Sequence, residues 1–393
     1  MVGVRKTIAG FVKQAYKAYL NSVNYMLQIN FLGDFVADKI RCVTISKQLQ
    51  DVLDSSDYNI VNFEAPEQSE AEPHLKSGPS IQQNASAPQW LKEKGFNVFS
   101  LANNHIMDFG EKTARETEAT LGHEKCVGIG VGKEAYKPLL LEREGIKVAI
   151  LALAELQFGM VHDSFTQAND YGCAWINHPC VNRLVRETKK KVDFLIIVAH
   201  AGLEGVDVPL PEWRERYREL IDEGCDAVIG GHTHTAQGYE IYHGKPIFYS
   251  LGNFCFQDNL TGEESWNIGE CVSLKLSKDG NMEFEVYGTQ LVDGNKLMLI
   301  DEKVWIDKLR HLNQLLETPG YISHVNEICR KAMLDYNTLF SMGGYIHIDR
   351  HIVRSLARWL FGRCKDVHIL NNMQCESHRW TIARALRLKN NLK

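Results

Sequence analysis

Residues 226–238 read DAVIGGHTHTAQG: a short apolar run, two glycines, then His232 and His234 one residue apart. The apolar run predicts a buried strand that ends at the glycines. In an extended backbone positions i and i+2 point the same way, so both imidazoles are expected to face one side. They are either ligands at the mouth of a sheet or two polar residues in an ordinary turn. Partners in matching positions elsewhere decide between these readings.

From Leu27 the chain alternates short β-rich runs with helix-like segments. LQINFLGD is strand-like and breaks at Gly33. YNIVNFEAP ends at Pro66, and FNVFSLANNH follows a short helical pattern closed by Gly95. Then come KVAILALAE, VDFLIIVAH, a helix in PEWRERYRELIDEG, the opening stretch, and KPIFYSLGNFCF read as one run. ECVSLKLS and MEFEVYGTQLV alternate strictly and predict a closing antiparallel pair. Strands separated by helices predict an α/β fold, a layered mixed β-sheet sandwich flanked by helices. After Asp301 the pattern turns helical, which predicts a C-terminal helical extension over 301–393 packed on a main domain of 27–300. Residues 65–89 are polar and Pro-containing, a long loop of the kind that more often serves function than not.

In open α/β sheets ligands bind beyond the carboxyl ends of the strands. The polar residues that follow each run are therefore informative. They are Asp34 in FLGD, Asn62 and Glu64 in VNFE, Asn103, Asn104 and His105 in LANNH with Asp108 close behind, His200 in IIVAH, and the His232/His234 pair. Taken singly, each has a bland reading: an Asp after a strand is usually a helix cap, and a lone His is usually a turn or core residue. Five coincident strand ends, all carboxylate, amide or imidazole, favour a site. The mixture of N and O donors without thiolate suits Mn, Fe, Zn or Co better than Ca.

Composition bounds the rest. With 393 residues, 44% hydrophobic and 24% charged, the chain has the make-up of a globular protein with one large domain or two ordinary ones. Ten cysteines show no CxxC spacing and read as reduced, largely buried thiols of a cytoplasmic protein. No window matches a membrane span or a signal peptide. The net charge of −5 divides into +4 over residues 1–33, +7 over 345–393 and −16 between them. An acidic body with basic ends speaks against nucleic acid and suits metal cations and one anionic surface partner.

GDF, VNFEAP, SLANNHIMDFG, AHAGLE, GGHTH and YSLGNFCF stand in the order found in the CapA-type capsule-biosynthesis (PGA_cap, poly-γ-glutamate synthesis) proteins, and the chain resembles that family over roughly residues 28–290. These proteins are a branch of the calcineurin-like metallophosphoesterase superfamily. The resemblance implies a metallophosphoesterase-like fold and a site for one or two divalent ions. Asp34 and His234 would serve the first metal, Glu64 would bridge, and Asn104, His200 and His232 would serve the second. His105 would be the general acid, oriented by Asp108. Glu204 would sit near substrate, and Asn253 would line the site or brace the His-x-His turn. Ordinary superfamily members carry Asp-x-His in the first motif, whereas Phe35 and Val36 follow Asp34 here, and Glu64 replaces the usual bridging aspartate.

The resemblance implies a metal-dependent hydrolase acting on a phosphorylated substrate or anionic polymer in capsule or surface-polysaccharide synthesis. The alternative is a non-catalytic, metal-containing polymer-binding or assembly factor of the capsule-synthesis machinery. A weaker third is hydrolysis of an amide such as a γ-glutamyl bond. Residues 1–26 place Ile8, Phe11, Val12, Ala15, Tyr16 and Tyr19 on one helical face, and HIVRSLARWLFGR repeats the arrangement with arginines. Each is either a helix docked on the domain or an amphipathic helix peripheral to an anionic inner membrane face.

Overall fold

The computed structural model describes residues 25–161, 170–257, 262–317, 319–342 and 365–392. Both amphipathic segments singled out above, within 1–24 and 351–363, lie outside these. The strands that carry the site are β1 (Met26–Val36), β2 (Tyr58–Phe63), β3 (Val98–Ser100), β4 (Ile146–Ala154), β5 (Phe194–His200), β6 (Ala227–Gly231), β7 (Lys245–Phe248), β8 (Asn253–Phe256), β9 (Ile268–Ser277) and β10 (Met282–Val292). A nine-stranded sheet has β1 at its centre, parallel to β2 on one side and antiparallel to β9 on the other, with β8 also parallel to β1. The antiparallel pair read from ECVSLKLS and MEFEVYGTQLV is β9 and β10. A six-stranded sheet contains β7, β6, β5 and β4 side by side and parallel.

Why two sheets pack here follows from β5. FLIIVAH is apolar on both faces, as a strand covered on both sides must be. Successive side chains point to opposite faces. Ile196 therefore joins a core with Ile150, Ile229, Phe31 and Phe254 of both sheets, while Ile197 joins Leu151, Trp213, Tyr217 and Val325 on the helical side. Each such buried side chain is worth roughly 1.5–3 kcal/mol. The helices on that outer face include α1 (Pro211–Asp222), α2 (Tyr321–Met342) and α3 (Glu376–Lys389). Tyr321 ties the second of these down by donating to the Pro209 carbonyl at 2.8 Å. Among the described residues no helix is long and apolar enough to cross a membrane.

Three expectations need correction. β1 does not break at Gly33; it runs on to Val36, with a register shift between Asp34 and Phe35. KPIFYSLGNFCF is not one strand: β7 belongs to the six-stranded sheet, and the chain crosses at Tyr249–Gly252 so that β8 pairs with β1 of the other. The strand ends therefore do not lie along the rim of one sheet. β1, β2 and β3 deliver their residues from one sheet, β5 and β6 from the other, and the site lies at the seam.

Backbone contact at the seam explains why glycine stands at Gly33. A Cβ there would lie 1.9 Å from the Gly252 carbonyl oxygen. The same oxygen accepts a hydrogen bond from the Asp34 amide at 3.0 Å. Gly33→Ala must push the crossing segment away from β1, a backbone clash that side-chain rotation cannot relieve. Overpacking of this kind costs about 3 kcal/mol or more. The variant should lose most of its soluble yield and melt at least about 5 °C lower; wild-type melting by circular dichroism would contradict the assignment of this contact.

Candidate metal centre

The five strand ends converge. Asp34 lies near the carboxyl end of β1, opposite Asn62 of β2 and Asn253 of β8. Glu64 follows β2, Asn103 to His105 follow β3, His200 ends β5, and His232 and His234 follow β6. Asp34, Glu64, His200, His232 and His234 are all at most 3% exposed. The two histidines after β6 are not extended: φ is +83° at His232 and +56° at His234. They face the site because left-handed turns aim them, which replaces the simple alternation expected from the sequence. Non-glycine residues in this region are uncommon and cluster at functional sites.

Two triads form, Asp34–Glu64–His234 and Glu64–His200–His232, each with donor atoms within 4.8 Å of one another. Glu64 is common to both. Its Oε1 is buried, has no hydrogen-bond partner among the described residues, and stands 3.5 Å from His200 Nε2 and 3.9 Å from His234 Nε2. Its Oε2 accepts from Asn62 Nδ2 at 2.9 Å; the same amide donates to Asp34 Oδ1 at 2.8 Å and lies 3.1 Å from His200 Nδ1. Asn104 Oδ1 sits 3.0 Å from His200 Nε2. Burial, and then the Asp34 charge, push the Glu64 carboxyl well above the usual carboxylate range. Burial and the neighbouring imidazoles of His232 and His234 hold His200 well below the usual histidine range, which favours the neutral ring with one nitrogen lone pair available.

A second cluster borders this one. His105 Nδ1 is 2.7 Å from Asp108 Oδ2, and Lys76 reaches in from the 65–89 loop to pair with Asp108 and to lie 3.0 Å from His105 Nδ1. Asp108 also accepts from the Ile81 amide at 2.8 Å, which pins that loop. Burial, followed by the Lys76 charge, lowers the His105 pKa. Its Nε2 carries none of these contacts. Lys76 had no local signal beyond the length of its loop.

The remaining predicted residues fall at the margins. Asn253 Oδ1 is 2.9 Å from His234 Nδ1 and its amide donates to the Trp266 carbonyl, so it braces the His-x-His turn. Glu204 is exposed, 3.9 Å from His232 Nε2. Glu155 was missed: this buried carboxylate, just after β4, accepts from His232 Nε2 at 2.9 Å.

The donor set fits a divalent cation. An unpartnered buried carboxylate oxygen is costly in protein, and here it lies where imidazole, carboxylate and amide atoms converge. Buried imidazole, carboxylate and amide atoms gathered this closely could hold a metal ion.

A two-sheet α/β sandwich with carboxylates, amides and histidines at the strand ends along its seam is a metallophosphoesterase-like fold. Residues 16–258 match the family described as bacterial capsule synthesis protein PGA_cap, and the chain belongs to that family. It is 27% identical over 289 residues to the PGA biosynthesis protein CapA of Bacillus subtilis (strain 168), covering 69% of this chain and 72% of that one. It is 29% identical over 264 residues to the capsule biosynthesis protein CapA of Bacillus anthracis, covering 64% and 62%. Among solved structures, the 5'-nucleotidase of Candida albicans SC5314 aligns over 67% of this chain and 52% of its own, with 16% identity and a TM-score of 0.39. That likeness is too partial to add to what the sheets themselves show.

Glu64→Gln replaces a carboxyl whose ionisation is penalised by burial and by Asp34 with a neutral group of the same shape. Metal-free protein should melt a few degrees higher, an effect of about 1–2 kcal/mol, and should lose the rise in melting temperature that Mn gives the wild type. Equal Mn-induced stabilisation of variant and wild type would contradict the central place given to this carboxylate.

Proposed function

We propose that this chain is a metal-dependent hydrolase of phosphoesterase type that acts in the synthesis of a capsule or a poly-γ-glutamate-like surface polymer. The observation that carries the proposal is the Glu64 Oε1 atom, unpartnered among the described residues and common to two triads of buried ligand-type atoms. Asp34, Glu64 and His234 would hold a first divalent ion; Glu64, His200, His232 and Asn104 a second. Such ions supply an activated water and neutralise charge on a phosphoryl-type oxygen.

The chain's own residues account for the remaining steps. Asn62 orients Asp34 and Glu64 together through the two N–H groups of one amide. His105 is held by Asp108 at Nδ1, which leaves Nε2 free of these partners; the imidazolium form would donate its Nε2 proton to a leaving-group oxygen. Burial and then Lys76, fixed beside the imidazole, lower its proton affinity, which eases release of that proton, and Lys76 provides a cation for an anionic substrate. Glu204, exposed at the edge of the site, would discriminate among approaching charged groups.

A second reading rests on the first motif. Val36, which stands where Asp-x-His would place the histidine, is buried among Ala65, Phe256 and Trp266. No imidazole enters from that position, and the first ion would have only three of the described ligand-type side chains. A site so built could grip an anionic polymer without cleaving it, as an assembly factor would.

The test uses purified protein with Mn and aryl phosphomonoesters and phosphodiesters. Hydrolysis should be present and should fall about 10²-fold or more in His105→Ala, with bound metal unchanged. Stoichiometric metal without turnover would favour the assembly reading, and turnover indifferent to His105→Ala would place the activity elsewhere.

A further inference from the structure

The C-terminal helix α3 lies far in sequence from every proposed ligand, and outside the 16–258 family match, yet its first turn reaches the metal centre. The link is Glu155, which is 1% exposed. Its two oxygens face opposite ways. Oε1 is 2.9 Å from His232 Nε2, with the Gln157 amide donating to it at 3.2 Å. Oε2 accepts from the Ser377 hydroxyl at 2.7 Å, the Ser377 amide at 3.2 Å and the Cys375 thiol at 3.4 Å. The carboxylate thus sits at the amino end of a 14-residue helix, where unpaired N–H groups and the helix dipole favour negative charge.

That first turn is itself fixed. The Ser377 hydroxyl accepts from Trp213 Nε1 at 2.8 Å, which leaves its proton to donate to Glu155. Glu376 accepts from the Leu156 amide at 2.7 Å, Trp175 Nε1 at 2.7 Å and Asn177 Nδ2 at 3.1 Å, clamping α3 to the segment that carries Glu155. Burial alone would raise the Glu155 pKa, but the hydrogen bonds from His232 and Ser377 outweigh it and hold the group below the usual carboxylate range.

A carboxylate on one imidazole nitrogen fixes which nitrogen is left for a cation. With the Nε2 proton directed at Glu155, His232 presents Nδ1 to the site, 3.0 Å from His200 Nε2. We propose that Glu155 is the positioning carboxylate of the metal centre, and that Ser377 of the C-terminal helix anchors it. The C-terminal segment thereby sets the cation affinity of a site whose proposed ligands all lie between Asp34 and His234. This inference rests on the metal-centre reading above.

The test is calorimetric titration of full-length, metal-free protein with Mn, alongside melting curves of the same samples. Glu155→Gln should weaken binding by about 10–100-fold and Ser377→Ala by about tenfold. Thr381→Val is the control. It removes a buried hydroxyl that donates to the Ser377 carbonyl at 2.7 Å, one turn further along the same helix and without contact to Glu155. It should lower the melting temperature yet leave Mn affinity within about twofold of wild type. Unchanged affinity in Ser377→Ala, or equal weakening in Thr381→Val, would overturn the anchoring role. Wild-type protein that takes up no Mn would instead overturn the metal centre itself.

Discussion

Two carboxylates, Asp34 and Glu64, are buried side by side with no exposed surface. Much of the molecule around them follows from that. Neighbouring negative charges in a dry interior repel, and each has lost its hydration. The protein supplies one amide, Asn62, that bonds to both, and rings the pair with three imidazoles. Among the described residues, one oxygen of Glu64 has no hydrogen-bond partner. A divalent cation held there would turn this costly arrangement into a stable one.

Holding such a pair demands precision, and the two sheets provide it. β1 carries Asp34 from one sheet, β5 and β6 carry the histidines from the other, and the chain between β7 and β8 crosses the seam against Gly33. The proposed site residues at parallel strand ends are placed by ladders of backbone hydrogen bonds, and their directions are then set by a further layer: Asn253 on His234, Asn62 on Asp34 and Glu64, Glu155 on His232, Asp108 on His105. The helical C-terminal segment enters that layer through Ser377, so it is part of the site's support as well as of the outer face.

Much of this was legible in the sequence. Strand ends are marked by apolar runs that stop at polar residues, and a parallel sheet brings its carboxyl ends to one side, so Asp34, Glu64, Asn104, His105, His200 and the His232/His234 pair could be named without coordinates. The division into two sheets could not, because hydrophobic periodicity does not say which sheet a strand joins; KPIFYSLGNFCF reads as one run although its two halves pair with different partners. The left-handed turns at His232 and His234 were hidden for a similar reason, since Thr233 and its neighbours read equally well as extended. Lys76 sits in a polar loop with no periodicity, and Glu155 and Ser377 are 222 residues apart. Contacts of that separation depend on tertiary packing, for which a single sequence carries no local pattern.

The most direct measurement is anomalous diffraction from crystals of the full-length protein soaked in Mn. The account predicts peaks at coordination distance from Glu64, one shared with His200 and His232 and one with Asp34 and His234. A map in which Mn binds elsewhere, or in which Glu64 Oε1 is met only by water at full Mn occupancy in solution, would contradict it.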